Sequence, residues 1–139
     1  MTPACAWIRL RAGRRHLVVS AAIIRQVLPA RGVTSVPLTW PHIVGVLVSE
    51  GRVVPVCRVA LLPVAGAPES GPVSYENEIA IIEQDGIQAG FLVERADRMG
   101  RGPEGSDRVI DGESLFLATG FVRRRDDGLT AAQAAKGEI

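Results

Sequence analysis

Residues 36–59 read VPLTWPHIVGVLVSEGRVVPVCRV and contain two apolar runs, Ile43 to Val48 and Arg52 to Val59. A turn at Glu50-Gly51 separates the runs, and this arrangement predicts a β-hairpin. Pro55 has no N–H to donate to a strand ladder, so we expect it at a sheet edge or a bulge. The β-branched residues of both runs pack well on a pleated surface, and the stretch therefore predicts a β fold.

Three more pairs of strand-like runs flank turn sequences elsewhere in the chain. Two of these turns are Asp85-Gly86 and Asp111-Gly112, and Asp-Gly tolerates the positive φ angles of a tight hairpin turn. No long stretch has a 3.6-residue apolar period, so crossover helices are missing and an all-β barrel or sandwich is favoured. The predicted hairpins pair Ala4–Arg11 with His16–Ser20, Glu78–Glu83 with Ile87–Arg95, and Arg108–Ile110 with Ser114–Leu117.

Helical signals are short. At the carboxyl end, the sequence from Thr130 to Gln133 matches a capping box, and a short helix and disorder are equally compatible with it. Val64 to Ser74 is rich in Pro, Gly and Ala and predicts a mobile surface loop. Ser20 is predicted to cap one helical turn that ends at Pro29 and presents Ile23, Ile24 and Val27.

The composition predicts one soluble cytoplasmic domain. The 139 residues carry 16 basic and 15 acidic side chains, and this balance disfavours a nucleic-acid or anionic-membrane surface as the main partner. Two cysteines do not make a disulfide framework, so reduced thiols are expected. The amino terminus reaches arginines too soon for a signal peptide, and the apolar run from Ile43 to Val48 is too short for membrane insertion.

Three catalytic or cofactor hypotheses are weak. Cys57 with His16 or His42 as base lacks a positioned acid in any recognisable pattern. A metal site formed by these residues and Cys5 lacks a close-spaced ligand pair. The G-x-G-x-x-G spacing at residues 100–105 needs a following helix to bind a dinucleotide, and none is predicted. We therefore predict no catalysis, no metal and no cofactor.

Arginines cluster at two places. Arg9, Arg11, Arg14 and Arg15 surround the first predicted turn, and a second cluster covers residues 123–125. A solvated face is the default interpretation. A small β-barrel that binds nucleic acid through the first cluster stays open as the alternative function.

The central stretch resembles the CheW-like family. The similarity includes the isoleucine-x-glycine-valine pattern of Ile43 to Val46, the turn that ends at Gly51, and the valine-x-proline-valine pattern of Val53 to Val56. Further matching segments follow in order between residues 5 and 120. The resemblance implies two small five-stranded SH3-like β-barrel lobes that share a hydrophobic core, with one or two short helices. It places this domain at residues 1–122 and leaves 123–139 as a tail.

The resemblance implies an adaptor that couples a chemoreceptor tip, or an equivalent helical tip, to the regulatory domain of a CheA-type histidine kinase. Trp40 lies beside the docking strand and is a candidate for partial exposure. Aromatic residues are frequent in binding hot spots, so Trp40 is also a candidate for partner binding. The predicted partner-binding residues are Trp40, Ile43, Val44, Val46, Glu50, Gly51, Val54 and Arg58.

Two positions depart from the family pattern. Glu50 stands where the family usually has an arginine that helps to contact the receptor, which reverses the charge at that position. Arg58 replaces an aspartate of the proline-valine strand. A compensating Glu50–Arg58 ion pair across the hairpin is one hypothesis.

Overall fold

The computed structural model describes residues 6–36, 40–73 and 75–121. In this part of the chain, ten strands and one α-helix are joined by loops and by 3₁₀ turns at Ala21–Ile23 and Val59–Leu61. The elements are β1 (Trp7–Ala12), β2 (Arg15–Ser20), β3 (Ile24–Pro29), β4 (Thr34–Ser35), β5 (Ile43–Ser49), β6 (Arg52–Arg58), β7 (Glu78–Gln84), β8 (Ile87–Val93), β9 (Arg95–Met99), β10 (Arg108–Val109) and α1 (Gly112–Thr119).

The strands form two sheets. The first has the order β10-β2-β1-β9, and the second has the order β3-β7-β8-β6-β5-β4. The prediction of a mostly β chain with two β lobes and short helical pieces is confirmed. The hydrogen-bonded strands divide four and six, where five and five were expected.

One hydrophobic cluster joins the two sheets. Leu10 and Leu17 from the first sheet meet Phe91 from the second, and all three are fully buried. Helix α1 adds Leu115 and Phe116 to the same cluster. The rings of Phe91 and Phe116 meet edge to face, with centroids 5.9 Å apart. Edge-to-face packing suits the charge distribution of aromatic rings and fixes α1 against β8.

Strand β7 is buried on both faces. Ala80 and Ile82 belong to the cluster shared with the first sheet. Ile79 and Ile81 face a second cluster, formed with side chains such as Val54 within the six-stranded sheet. A strand covered on both faces has an almost continuous apolar sequence, and β7 follows this rule.

Three of the four predicted hairpins are confirmed, and the fourth is wrong. The hairpins β1–β2, β5–β6 and β7–β8 turn at Gly13, Glu50-Gly51 and Asp85-Gly86, all with positive φ. Asp111-Gly112 instead begins helix α1. The Asp111 carboxylate accepts a hydrogen bond from the Ser114 N–H at 2.7 Å, so the aspartate acts as a helix cap.

The predicted helical turn after Ser20 is shorter than expected. The Ser20 hydroxyl caps the 3₁₀ turn at Ala21–Ile23, as predicted. The chain then enters β3, which pairs with β7, instead of continuing as a helix to Pro29. Pairing with the apolar strand β7 overrides the local helical signal. The predicted helix at Thr130–Gln133 and the tail 123–139 lie outside the described residues.

We predict that Asp111→Ala lowers the free energy of unfolding by about 1 kcal/mol, because α1 loses its amino-terminal cap. Urea denaturation followed by circular dichroism measures this change. Asp111→Ser keeps a capping oxygen and is expected to retain most of the stability. Equal stability of the alanine variant and the wild type would show that the cap does not hold α1.

Candidate partner-docking surface

The β5–β6 hairpin has one buried face and one outward face. Leu47 pairs with Val54 across the hairpin, and both side chains are buried in the second cluster. Successive side chains of a strand point to opposite faces, so the neighbours of this pair point outward. These neighbours form what we call the hairpin face, which consists of Val46, Val48, Val53 and Pro55.

The hairpin face is strongly apolar and exposed. Val48 and Val53 lie directly opposite each other, and each is 67% exposed. Val46 pairs with Pro55 next to them, and both are partly buried. A contiguous apolar patch on a soluble protein often marks an interaction site, whereas single exposed apolar residues do not. The hairpin face is therefore the candidate docking surface.

Glycine 45 allows β4 to lie close against β5. A Cβ atom at Gly45 would clash with the Thr34 carbonyl group. These are backbone atoms, so β4 itself would have to shift to make room. Thr34 pairs with Val46, and Ser35 pairs with Gly45 itself. The isoleucine-x-glycine-valine pattern thus has a local cause, because a side chain at this position would displace the edge strand.

The predicted site residues divide into an exposed group and a supporting group. Val46 is on the hairpin face, and Glu50 and Gly51 form the exposed turn at its end. Val54 is only 1% exposed, so it supports the face from below and cannot line it. Val44, at the register shift of β5, is partly buried against the second cluster.

Ile43 and Trp40 lie outside the hairpin face. Ile43 packs against the shared cluster. The Trp40 ring is 50% exposed, as predicted, and stacks on the His42 ring with centroids 5.7 Å apart. It also covers Gly120, where a Cβ atom would clash with the indole. The His42 Nε2 lies 2.9 Å from the Thr119 carbonyl oxygen, so this corner joins the entry of β5 to the end of α1.

The hypothesis of a Glu50–Arg58 ion pair is wrong. Arg58 ends β6, while Glu50 precedes its start. Seven strand residues span about 20 Å, which is too far for an ion pair. The carboxylate that pairs with Arg58 is that of Glu76, at 2.8 Å from its Nε.

Sequence reasoning missed Val48 and Val53. Both residues belong to the apolar runs from which Val46 and Val54 were predicted to bind a partner, but their own place on the outward face was not predicted. The alternation opposite Leu47 and Val54 was available in the sequence and distinguishes the two faces once one of them is assigned to the core. Which face contacts the core depends on strands distant in the sequence, and the hairpin alone does not define it.

The family model described as CheW-like domain matches residues 7–114. The chain belongs to the CheW-like family. No curated protein matches the sequence.

A solved structure has the same fold. The scaffolding protein TtCheW from Thermoanaerobacter tengcongensis is 20% identical and superposes with a TM-score of 0.55. The match covers 68% of this chain and 62% of that chain, so the chain spans less than two thirds of the TtCheW structure. This similarity supports the fold of two β lobes.

The surroundings of Cys57 are those of a core thiol in this CheW-like chain. Cys57 is fully buried, and burial raises the pKa of its thiol far above the usual range. The Sγ atom faces the Gly90 carbonyl oxygen at 3.6 Å. A nucleophilic cysteine needs the opposite conditions, with access and a lowered pKa. Neither His42, held at Thr119, nor His16, 3.6 Å from Asp107, is bonded to the thiol.

Two further motifs have no ligand-binding geometry in the part of the chain that is described. No group of three or more His, Cys, Asp or Glu side chains there is arranged to hold a metal ion. Residues 100–105 form a loop that leads into β10 and not into a helix, as the sequence predicted.

Among the described residues, no helix is long and apolar enough to cross a membrane.

The first arginine cluster is largely engaged within the protein. Arg9 binds both carboxylate oxygens of Asp107 at 2.9 Å. Arg15 is 7% exposed and donates to two backbone carbonyls. The Arg11 Nε lies 3.8 Å from a Glu94 carboxylate oxygen. Arg14 is the most exposed arginine of this cluster. Non-specific nucleic-acid binding requires free cations along a surface, and this hairpin offers few.

We predict that Gly45→Ala destabilises the protein by about 2 kcal/mol, because the added methyl group has no space beside Thr34. Gly100→Ala is the matched control, since a Cβ atom at Gly100 meets open space, and its effect is expected to stay within about 0.5 kcal/mol. Chemical denaturation of both variants measures the difference. Similar stabilities of the two would contradict the close approach of β4.

A pH dependence follows from Asp107. The hydrogen bond from Arg9 is the main cause that holds the pKa of Asp107 below its usual range. A depressed native pKa contributes stability above the unfolded value, about 3.9, and this contribution is lost as the pH falls through the native pKa. We expect Asp107→Asn to destabilise the protein at pH 7 and to approach the wild type as the pH falls below about 4. Urea denaturation across this range tests the expectation, and a stability difference independent of pH would contradict it.

Proposed function

We propose that this chain couples a chemoreceptor tip, or an equivalent helical tip, to the regulatory domain of a CheA-type histidine kinase in the cytoplasm. Membership of the CheW-like family supports the adaptor role. The exposed Val48–Val53 pair is the observation that supports a docking function for this particular surface.

The hairpin face suits a helical partner. An amphipathic helix binds by laying its apolar stripe on a complementary apolar surface. Val48 and Val53 are the most exposed members of the hairpin face, and Glu50 lies at the adjoining turn. Because Glu50 is acidic, we expect the receptor-like partner to carry a basic residue beside its apolar stripe.

Coupling requires a second partner, the kinase regulatory domain, on a different part of the surface. Binding to both partners makes the second event effectively intramolecular, so two weak contacts can hold an array together. This role needs no acid–base pair or bound cofactor. It needs a rigid scaffold, which the clusters shared between strands distant in the sequence provide.

We predict that Val48→Asp and Val53→Asp each weaken binding to the receptor tip by roughly 30-fold, as expected for a hot-spot loss of about 2 kcal/mol. Glu50→Arg is expected to change which receptor tip binds best. Titration of the full chain with tip fragments from chemoreceptors encoded beside it measures both effects. The kinase regulatory domain, tested in parallel, identifies the partner of this face.

Val109→Asp is the matched control, since Val109 is 45% exposed on β10 of the other sheet. Unchanged binding of every receptor tip and of the kinase domain by the Val48 and Val53 variants would exclude the hairpin face as the docking surface. Failure of the wild-type chain to bind any of these partners would contradict the coupling function itself.

A further inference from the structure

A groove beside the first sheet follows the length of α1. Its volume is about 400 Å³. The loop at residues 63–65 forms one wall, and the helix with its cap forms the other. The helix contributes residues at helical spacing, namely Asp111, Ser114, Leu117 and Ala118. The groove ends at Arg108 and Val109 of β10, so it belongs to the sheet that does not carry the hairpin face.

Strand β10 is an edge of the first sheet, and the groove lies beside it. The Ile110 N–H donates to the Val18 carbonyl of β2 at 3.0 Å. Backbone groups of successive strand residues point to alternate sides, so the Val109 N–H points away from β2. The Val109 side chain is 45% exposed. Native proteins usually cover an apolar edge of this kind, because an uncovered edge pairs with other strands.

The charged groups of the groove follow a definite order. Asp111 caps α1 through Oδ1, and its Oδ2 has no hydrogen-bond partner among the described residues. Arg108 lies beyond the helix, and a Cβ atom at Gly66 would be 3.2 Å from its Cζ. In the described part of the chain, no carboxylate lies within ion-pair distance of Arg108. From the carboxyl end of α1, the groove thus offers apolar Leu117, then an anion, then a cation.

The segment that follows α1 in the sequence carries the complementary order. Phe121 packs against the shared cluster, and its N–H donates to the Thr119 hydroxyl at 3.0 Å. The chain therefore leaves α1 from a fixed point. The next residues are Val122, three arginines at 123–125, and two aspartates at 126 and 127. An apolar residue, cations and anions match the apolar, anionic and cationic parts of the groove in turn.

The lengths of the groove and of this segment also agree. Gly120 ends α1 in the left-handed conformation, with φ 84°, which turns the chain out of the helix direction. From Ala118 back to Asp111, a helix spans about 11 Å at 1.5 Å per residue. Extended residues advance about 3.3 Å each, so three or four of them cover this distance. A segment that turns back at Gly120 can therefore place its arginines beside Asp111 and its aspartates within reach of Arg108.

We propose that residues 122–127 of this chain bind in the groove and cover the β10 edge. The arginines at 123–125 pair with Asp111, and the aspartates at 126 and 127 pair with Arg108. Exposed ion pairs are individually weak. The tether gives the segment a high effective concentration at the groove, so weak pairs are sufficient. This contact goes beyond the proposed coupling function and does not depend on the hairpin face.

The test uses the full chain labelled with ¹⁵N and measures backbone order parameters by NMR relaxation. We expect values of about 0.8 for residues 123–127, near those of rigid backbone. Arg108→Glu repels the aspartates and is expected to lower these values below about 0.6, the range of flexible segments. Adding Asp126→Arg and Asp127→Arg to this variant is expected to restore them. Arg98→Glu, at the exposed opposite edge strand β9 of the same sheet, is the matched control and is expected to change nothing.

If Arg108→Glu fails to fold, Asp126→Arg with Asp127→Arg is the second probe and is expected to give the same loss of order. Wild-type order parameters below about 0.6 at residues 123–127 would overturn the proposal. An ordered segment that neither probe releases would overturn it as well, and so would a loss of order that the combined variant does not reverse. A segment released by Trp40→Ala but by neither probe would lie against the exposed indole, which would exclude the groove as its site.

Discussion

Burial of β7 on both of its faces is the constraint on which the rest of the structure depends. Ala80 and Ile82 contribute to the cluster shared by the two sheets, while Ile79 and Ile81 contribute to the cluster within the larger sheet. One strand thus links two cores that would each be small alone. The hairpin β5–β6 is held by the second of these cores, and this support leaves its other face free to remain apolar and exposed.

Local sequence patterns were sufficient for the hairpins and for the fold class. The turns at Glu50-Gly51 and Asp85-Gly86 were predictable because a tight turn with positive φ has few compatible residue pairs. The same reasoning failed at Asp111-Gly112, since an aspartate before a glycine also suits a helix cap. Contacts of Leu115 and Phe116 with the shared core determine the outcome there, and a local pattern does not contain them.

The candidate site was predictable only in part, for a similar reason. Val46 lies on the strand, and Glu50 and Gly51 form the turn, that the sequence predicted. The buried position of Val54 and the exposure of Val48 and Val53 follow from the face that the sheet turns toward its core. Charge was still less predictable, because the partners of Arg9 and Arg58 are Asp107 and Glu76, far away in the sequence. A run of arginines in the sequence therefore became a set of separate internal contacts in the fold.

The strand order of the first sheet also constrains how the chain folds as it is synthesised. Strands β1 and β2 precede their sheet neighbours β9 and β10 by about ninety residues. Long-range pairing of this kind slows folding and leaves early strands unpaired for the longest time. The β1–β2 hairpin therefore leaves the ribosome well before the strands that complete its sheet. Arg9 and Arg11 place positive charge on the edge of β1 until β9 pairs with it. Charged residues on an edge strand oppose pairing with other chains.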